Sequence, residues 1–270
     1  YTIKMGRVEC ILVVCEQDLG DSLQFIRFID HLSDFSNMVK VSVQSPVAPL
    51  IRSSYPKIEV INGRWADEDL RGVDSWIPLI DCASLLNVKP DCPAALPTYL
   101  VIRDELVHKW SQMLGCKTKK RVAIAWQGNP VAERGHQKNR SMNLLSLEPL
   151  FLRDDIEVVS LQKGFGSEQI DQLGWRARFH SAQDLVDDVW DFEEVGAILR
   201  NCDTLVSVDT SITHLSGAIG CPSVLLLKWT PDWRWGLEGD STFWYPSHRL
   251  VRQRQGESWR QTVERMVNDL

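Results

Sequence analysis

Short apolar runs alternate along the first half of the chain with segments whose apolar residues recur at helical spacing. This pattern predicts strands at residues 10–15, 39–43, 58–61 and 74–78 and helices at 22–32, 47–55, 80–86 and 103–114. Pro90, Pro93 and Pro97 interrupt the pattern before the last of these helices. Alternation of strands with helices is typical of a parallel sheet wrapped by helices.

A polar basic segment, residues 115–120, separates this half from a second series of the same kind. Strands are expected at 121–126, 156–161, 204–208 and from Val224, with helices at 144–151, 194–200 and 258–270. We therefore predict an α/β protein with two Rossmann-like, doubly wound domains at 1–117 and 118–257 and a C-terminal helix at 258–270. Ligands bind at the carboxyl ends of such sheets, so function is sought in the strand-to-helix loops.

The most informative loop follows the strand predicted at 204–208. The apolar run breaks into Asp209-Thr210-Ser211, passes His214, and continues through small residues that include Gly217. Backbone N–H groups and the positive end of a helix dipole would converge at this turn, an arrangement that binds phosphate. The same residues also fit a crossover helix capped by Thr210 or Ser211. His214 has no companion at metal-ligand spacing, so no metal site is expected.

A second loop, residues 16–22, includes Asp21 at the start of the next predicted helix. A carboxylate that faces the cleft there could act as a general base and take a proton from an attacking hydroxyl. Asp is also a common helix N-cap, so a purely structural role for Asp21 is the alternative.

Two further loops carry cationic side chains. The loop after Trp126 contains Gly128 and Asn129, which permit close approach of a ligand, and ends at Arg140, whose planar guanidinium suits phosphate oxygens. A solvated loop with incidental charge is the alternative. In the other loop, Gln162 precedes Lys163, which could neutralise a leaving diphosphate.

Residues 164–166, Gly-Phe-Gly, resemble the start of a dinucleotide-binding fingerprint, but Gln169 stands where the third glycine belongs. This partial match is weak evidence for a nicotinamide cofactor. A nicotinamide oxidoreductase is therefore a third hypothesis, ranked behind the two that are given below. Residues 229–245 are rich in tryptophan, with Asp232 and Arg234 between the indoles. Aromatic faces stack on sugars and bases, but we expect most of these tryptophans to pack in a core or between domains.

Composition excludes several classes of protein. With 270 residues and a net charge of -6, the chain lacks the concentrated basic face of a nucleic-acid-binding protein. Its seven cysteines include no C-x-x-C pair, which argues against a disulfide framework and a thiolate zinc site and fits a reducing compartment. No apolar stretch is long enough to cross a bilayer, and residues 1–4 lack the order of a signal peptide. We expect a cytoplasmic protein without a transmembrane segment.

Several of these segments together resemble glycosyltransferase family 9, the heptosyltransferases. The resemblance covers nearly the whole chain and rests on Gly20-Asp21, on Trp126-Gln127-Gly128, and above all on residues 209–215, Asp-Thr-Ser-Ile-Thr-His-Leu, with the glycines that follow. The chain is more closely similar to the catalytic part of bacterial tetratricopeptide-repeat proteins that carry such a domain. The shared segments are Gly-Asp-x-x-Gln-Phe, Arg-Ser, Ser-Leu-Gln and Asp-Trp-Arg-Trp. The chain departs from the family at Ser211, where glycine is usual, and lacks an expected acidic residue before Arg140.

The resemblance implies a GT-B fold, in which two Rossmann-like domains face each other across a cleft. Family members invert the anomeric centre without a metal and use the aspartate of Gly-Asp as the base. The resemblance therefore implies that Asp21 deprotonates the acceptor hydroxyl. Lys163, Thr210 and Ser211 would stabilise the departing diphosphate. The residues expected at the donor are Gly20, Trp126, Gly128, Asn129, Arg140, Gln162, Lys163, Asp209, Thr210, Ser211, His214 and Gly217.

The leading hypothesis is a metal-independent inverting glycosyltransferase. It would transfer a sugar from a nucleotide-diphosphate sugar to a hydroxyl group on a glycan or a protein, with no further cofactor and no nucleic acid. The alternative is a noncatalytic nucleotide- or glycan-binding module of a larger repeat protein. In either case, an upstream repeat domain is a possible partner.

Overall fold

The computed structural model describes residues 7–88, 98–131, 133 and 139–270, so the predicted interruption at Pro90, Pro93 and Pro97 lies outside the described residues. The strands are β1 (Val8–Val14), β2 (Ser36–Val43), β3 (Glu59–Asn62), β4 (Ser75–Pro78), β5 (Lys120–Ala125), β6 (Ile156–Ser160), β7 (Thr204–Val208), β8 (Ser223–Leu227) and β9 (His248–Arg252). The α-helices are α1 (Leu19–Phe25), α2 (Ala48–Ser54), α3 (Asp81–Leu85), α4 (Asp104–Leu114), α5 (Glu148–Phe151), α6 (Gln169–Gln172), α7 (Gln183–Asp187), α8 (Phe192–Arg200), α9 (Ser211–Ala218) and α10 (Trp259–Val267). Short 3-10 helices lie at Ile26–Asp34, Leu144–Leu147, Arg176–Arg178 and Trp233–Trp235.

The strands form two sheets in which every neighbouring pair runs parallel. The strand order is β3-β2-β1-β4 in the first sheet and β6-β5-β7-β8-β9 in the second. The prediction of an α/β fold built on parallel sheets is confirmed. The domain boundary at 117/118 stays a prediction.

One buried apolar cluster takes residues from both sheets. Ile11 and Val13 of β1 belong to the same cluster as Leu205 of β7 and Leu225 of β8, and all four are fully buried. A second cluster covers the other face of the second sheet, where alternate residues of β5 pack with Val263 and Met266 of α10. The second sheet is therefore covered on both faces, while the first shares its core with the second.

The connection from β3 to β4 packs on the first sheet without a helix. It consists of turns and irregular structure over residues 63–74, where the sequence pattern predicts no helix. The Nζ of Lys40 donates to the carbonyl of Asp69 at 3.0 Å, and the Ser42 hydroxyl donates to the carbonyl of Gly63 at 2.9 Å. Side chains of β2 therefore hold this connection in place. The doubly wound arrangement of the two domains stays a prediction.

Arg27, in the 3-10 helix after α1, joins the two halves of the chain. It is buried, and its guanidinium donates to the carbonyl of Trp244 at 3.1 Å and to the hydroxyl of Tyr99 at 2.9 Å. The same group lies 4.4 Å from the centre of the Tyr99 ring and 4.9 Å from that of Tyr245. A desolvated cation held over aromatic rings is stabilised by about 2 kcal/mol or more. This cage fixes the segment that precedes β9 against the start of the chain.

Glu193 of α8 makes a second link between the halves. Its side chain is buried, accepts a hydrogen bond from Ser53 of α2 at 2.7 Å, and forms a bidentate pair with Arg103 at 2.8 and 2.9 Å. The Glu193 carboxylate is buried while the Arg103 side chain is 57% exposed, so the loss of Arg103 would leave a buried charge without its partner. The Ser53 hydrogen bond links α2 to α8, and the ion pair links α8 to the start of α4.

Gly217 of α9 provides a test of this packing. A Cβ added at Gly217 would stand 2.2 Å from Cδ1 of the Tyr245 ring, whereas one added at Gly196 of α8 would meet the terminal Cδ1 of Ile102 at 2.4 Å. The ring is rigid and the end of an isoleucine can rotate, so the two glycines form a matched pair. We expect Gly217→Ala to lower the free energy of unfolding by about 1–3 kcal/mol. The change at Gly196 should cost less, because the end of the Ile102 side chain can move aside. The gain of about 1 kcal/mol for alanine over glycine in a helix applies to both variants.

Urea denaturation measures both effects. Equal losses of stability in Gly217→Ala and Gly196→Ala would contradict the close contact between α9 and the Tyr245 ring.

Candidate active site

A cavity of ≈ 610 Å³ opens at the carboxyl ends of strands from both sheets. Its volume suits a small-molecule ligand, and its place is where parallel sheets bind ligands. All four loops singled out in the sequence contribute to its wall. The predicted site residues that line it are Gly20, Asp21, Gly128, Asn129, Arg140, Gln162, Lys163, Asp209, Thr210, Ser211 and His214.

Helices α1 and α9 meet at this cavity. Gly20 allows their contact, because a Cβ there would lie 2.9 Å from Cδ2 of His214 and 3.7 Å from the Cα of Ser211. Thr210 is the N-cap residue of α9 by its extended backbone, but its side chain makes no capping hydrogen bond. Its hydroxyl lies 3.3 Å from that of Ser207 instead. The Thr210 side chain therefore does not cap the helix, as the structural alternative requires, and the N-terminus of α9 is suited to an anion.

Asp21 lies in the first turn of α1, where Asp18 and not Asp21 holds the N-cap position. One of its carboxylate oxygens forms an ion pair with Arg234, and Oδ2 accepts a hydrogen bond from the backbone N–H of Asp18 at 3.2 Å. Burial raises the pKa of Asp21, while the charge of Arg234 acts in the opposite direction. Asp21 is thus a partly buried carboxylate with a fixed orientation at the cavity wall.

Arg234 lines the cavity but was missed among the predicted site residues. Its Nη1 lies 2.9 Å from Oδ1 of Asp232, and its Nε donates to Oε1 of Gln24 at 2.7 Å. The available signal was the charged pair inside Asp232-Trp233-Arg234-Trp235, a segment that stands out for its tryptophans and for its resemblance to the repeat-linked proteins. Contacts of Arg234 with α1 join positions far apart in the sequence, so no local pattern reveals them.

Arg140 is held by Glu133, from within the loop that follows β5. The Nε of Arg140 lies 3.3 Å from Oε1 of Glu133. The Ser141 hydroxyl donates to the same carboxylate and accepts from the N–H of Gly128 at 2.8 Å. A Cβ on Gly128 would stand 2.9 Å from Nη2 of Arg140. Glu133 is therefore an acidic partner of Arg140 within the same loop, and Gly128 leaves room for the guanidinium.

Lys163 lies at the end of β6 in a partly buried position. Its Nζ donates to the carbonyl of Val186. Burial lowers the pKa of Lys163 to about 8, against the opposing charges of Asp187 and Asp188. The ammonium is therefore mostly charged at neutral pH and becomes neutral at moderately alkaline pH.

Gln162 lines the cavity, but its side chain is committed to the backbone. Its Oε1 accepts from the N–H groups of Trp126 and Gln127 at 2.9 and 3.0 Å. Its Nε2 donates to the carbonyls of Gln127 and Phe165, each at 2.7 Å. These four bonds use both donors and both acceptor positions of the amide. Gln162 thus fixes the loops after β5 and β6 to each other.

Two predicted donor residues do not line the cavity. Trp126 is fully buried in the cluster behind the second sheet, because it continues the outward-facing side of β5. Gly217 packs against the Tyr245 ring, so it serves helix packing.

The glycines of the Gly-Phe-Gly segment have φ values of 60° and 90°, which glycine adopts without strain, and they form a turn.

His214 is buried and Asp209 is partly buried beside it in the wall, with His214 Nε2 3.9 Å from Asp209 Oδ1. Burial, and next the charge of Arg234, lowers the pKa of His214 well below its usual value. Burial raises the pKa of Asp209. Nδ1 of His214 lies 2.9 Å from the Tyr245 hydroxyl. His214 is therefore a neutral side chain that connects the cavity to the aromatic core.

The tryptophans divide between core and surface. Trp235 and Trp244 are buried, as expected, whereas Trp229 is 55% and Trp233 is 62% exposed. Trp233 lines the cavity together with Trp190, which is 64% exposed and precedes α8. Trp190 was not predicted as a site residue, because a single indole in a polar segment has no periodic context.

Across the described ranges, no group of three or more His, Cys, Asp or Glu side chains is placed to hold a metal ion. In the same ranges, no helix has the length and apolar character needed to cross a membrane.

No protein-family model matches the chain. Among solved structures, it is similar to the glycosyltransferase family 9 protein of Veillonella parvula DSM 2008, with a TM-score of 0.61, 11% identity, and coverage of 98% of this chain and 96% of the other. It is similar to the ADP-heptose LPS heptosyltransferase II of E. coli, with a TM-score of 0.62, 12% identity, and coverage of 96% and 97%. For E. coli heptosyltransferase WaaC with ADP-2-deoxy-2-fluoro heptose, the TM-score is 0.59, identity 12%, and coverage 96% and 98%. At these identities the similarity shows the fold.

Among curated proteins, the chain is 24% identical over 282 residues to Protein FlbA of Caulobacter vibrioides. The match covers 96% of this chain and 46% of FlbA. The chain therefore spans about half the length of this relative.

The lowered pKa of Lys163 gives a pH test of the cavity. If an anion binds beside its ammonium, affinity for inorganic pyrophosphate should fall as the pH rises through about 8, by up to about tenfold between pH 7 and pH 9, as the charged fraction falls. Isothermal titration calorimetry measures the affinity. Lys163→Arg is the matched control, because its side chain stays charged and it corrects for the protonation of pyrophosphate itself. The same pH dependence in both proteins would exclude Lys163 from the anion site.

Proposed function

We propose that this protein is a glycosyltransferase that moves a sugar from a nucleotide-diphosphate sugar to a hydroxyl group. One observation carries the proposal: the uncapped end of α9, Lys163 and Arg140 line one cavity with the carboxylate of Asp21, which comes from the other sheet. The first three groups suit a diphosphate, and the carboxylate suits a hydroxyl. The likeness in fold to family 9 structures, one of them with an ADP-sugar analogue, supports the assignment.

In the proposed donor site, the diphosphate lies at the start of α9. Negative charge grows on the leaving diphosphate as the bond to the anomeric carbon breaks. Backbone N–H groups of Thr210 and Ser211, with the charges of Lys163 and Arg140, would stabilise that charge in the transition state. Because side chains and backbone supply the positive charge, we propose that transfer needs no metal.

In the proposed acceptor site, Asp21 is the general base. The acceptor oxygen forms a bond to the anomeric carbon, the bond from that carbon to the diphosphate oxygen breaks, and the hydroxyl proton passes to a carboxylate oxygen of Asp21. Attack from the side opposite the diphosphate inverts the anomeric configuration. The raised pKa of Asp21 favours its acceptance of a proton.

We further propose a GT-B arrangement, in which residues 1–117 form the acceptor side and residues 118–257 form the donor side. The acceptor would be a glycan or a protein. FlbA, which is about twice as long as the matched region, leaves space for a further domain such as the proposed repeats. A cytoplasmic location belongs to the same proposal.

A noncatalytic nucleotide- or glycan-binding module is the second candidate. The ion pair between Asp21 and Arg234 favours it, since a carboxylate engaged by a guanidinium is a weaker base. This candidate predicts nucleotide binding without sugar transfer and without donor hydrolysis.

Asp21→Asn tests the assignment. We expect sugar transfer or hydrolysis of the accepted donor to fall by about 10²–10⁴-fold, since an amide cannot take the proton. Binding of the nucleotide should stay within about twofold, because the carboxylate does not contact the diphosphate in this scheme. Release of nucleoside diphosphate from a panel of ADP-, UDP- and GDP-sugars measures turnover, and calorimetry measures binding.

Asp18→Asn is the matched control, because Asp18 lines the same cavity and Asn is an equally good N-cap. Full turnover in Asp21→Asn would remove Asp21 as the base. Nucleotide binding by the unaltered protein with no turnover of any donor would favour the binding module.

A further inference from the structure

We propose that Arg234 is a positioning residue for Asp21, which holds this carboxylate ionised and in a fixed orientation toward the cavity. The inference rests on the proposed function, in which Asp21 takes the acceptor proton. Arg234 lies on the 3-10 helix Trp233–Trp235, between β8 and β9, whereas Asp21 lies on α1. The interaction therefore joins the proposed base to the half of the chain that carries the proposed donor site.

The guanidinium of Arg234 is held on each of its three nitrogens. Nη2 pairs with Asp21, Nη1 lies 2.9 Å from Oδ1 of Asp232, and Nε donates to Oε1 of Gln24 at 2.7 Å. The backbone N–H of Arg234 donates to the same Asp232 oxygen at 3.1 Å. Its Cζ lies 4.8 Å from the centre of the Trp233 ring. A planar group fixed at three nitrogens and one face acts as a rigid support, because movement would break all of these contacts together.

Two of these contacts fall on one helix. Asp21 and Gln24 are three residues apart on α1, so they lie on the same face of that helix. Arg234 thus binds successive turns of α1 with one guanidinium. A lysine in its place offers a single ammonium and cannot reproduce this planar arrangement.

The orientation of the Asp21 carboxylate follows from its two partners. Arg234 engages Oδ1, and the backbone N–H of Asp18 donates to Oδ2 at 3.2 Å. An ionised carboxylate offers about four acceptor positions, so each oxygen keeps one for an acceptor hydroxyl. The two contacts fix the plane of the carboxylate while leaving it able to accept a proton.

The charges around Asp21 explain why it needs Arg234. Burial favours the protonated acid, and the carboxylates of Asp18 and Asp232 act in the same direction. Arg234 is the first of the opposing influences, and the Asp18 N–H is the second. Further titratable groups at this part of the cavity wall are Cys15 and Glu16 on the preceding loop, His214 on α9, and Asp209 beside His214. Cys15 and His214 are neutral, and burial raises the pKa of Asp209. Without Arg234, Asp21 would be a partly buried carboxyl group beside two others, and it would hold a proton at pH values where it must accept one.

Carbon-13 NMR of protein labelled at the aspartate carboxyl carbon tests the inference without a substrate. Loss of one resonance in Asp21→Asn assigns the signal. In Arg234→Gln, we expect the titration midpoint of Asp21 to rise by about 1–3 pH units, since a neighbouring opposite charge lowers a carboxyl pKa by that amount. Arg234→Lys should give a smaller rise of the same sign. Arg260→Gln, which removes the ion pairs of this α10 residue with Glu148 and Glu264 outside the cavity lining, should leave the midpoint unchanged.

An unchanged midpoint in both Arg234 variants would overturn the proposal, and Arg234→Lys decides the matter if Arg234→Gln does not fold. A merely structural role would lower stability without moving the midpoint. Once a donor is known, the acidic limb of the pH–rate profile should move upward in Arg234→Lys by the same amount as the NMR midpoint. A midpoint that rises in a protein that transfers no sugar would sink the proposed function but leave the control of Asp21 by Arg234 intact.

Discussion

The close contact between α1 and α9 is the constraint on which the rest of the site depends. Gly20 removes the side chain that would collide with His214, and this brings the start of each helix to the same cavity. Arg234 ties α1 to the segment after β8 from one side. The cage around Arg27 ties the chain that follows α1 to the segment before β9. A carboxylate from one sheet and a helix N-terminus from the other can face one ligand only because this contact is maintained.

The cationic side chains of the cavity are held in place by ion pairs and hydrogen bonds within the protein. Arg140 is held by Glu133, Arg234 by Asp21 and Asp232, and Lys163 by a backbone carbonyl. Each cation is thereby fixed before any ligand arrives, so little reorganisation is needed when negative charge develops beside it. Gln162 contributes in the same way, since its four backbone bonds set the relative position of two loops without direct charge.

The sequence predicted most of this architecture because strands and loops follow local patterns. The strands expected at 10–15 and 204–208 are present as Val8–Val14 and Thr204–Val208. They belong to different sheets, and the loop after each lies at the carboxyl end of its own sheet and lines the shared cavity. Helix α1 begins at Leu19, three residues before the expected start, because Asp18 takes the N-cap position. Strand β9 was missed because His248, Arg249 and Arg252 mask its apolar residues, which are buried at the edge of the sheet. The turns at 63–74 and the reach of Arg234 to α1 depend on contacts between distant segments, which no local pattern encodes.

We propose that the cavity binds a nucleotide diphosphate through α9 and Lys163 without a metal. A thermal-shift screen of ADP, UDP, GDP and their sugar conjugates, with and without EDTA, tests it most directly, since a ligand that binds only the folded protein raises its apparent stability. We expect a rise in Tm that is selective for one nucleotide, insensitive to EDTA, absent in Lys163→Ala, and retained in the surface variant Lys57→Ala. No rise with any compound, or a rise that EDTA abolishes, would contradict it.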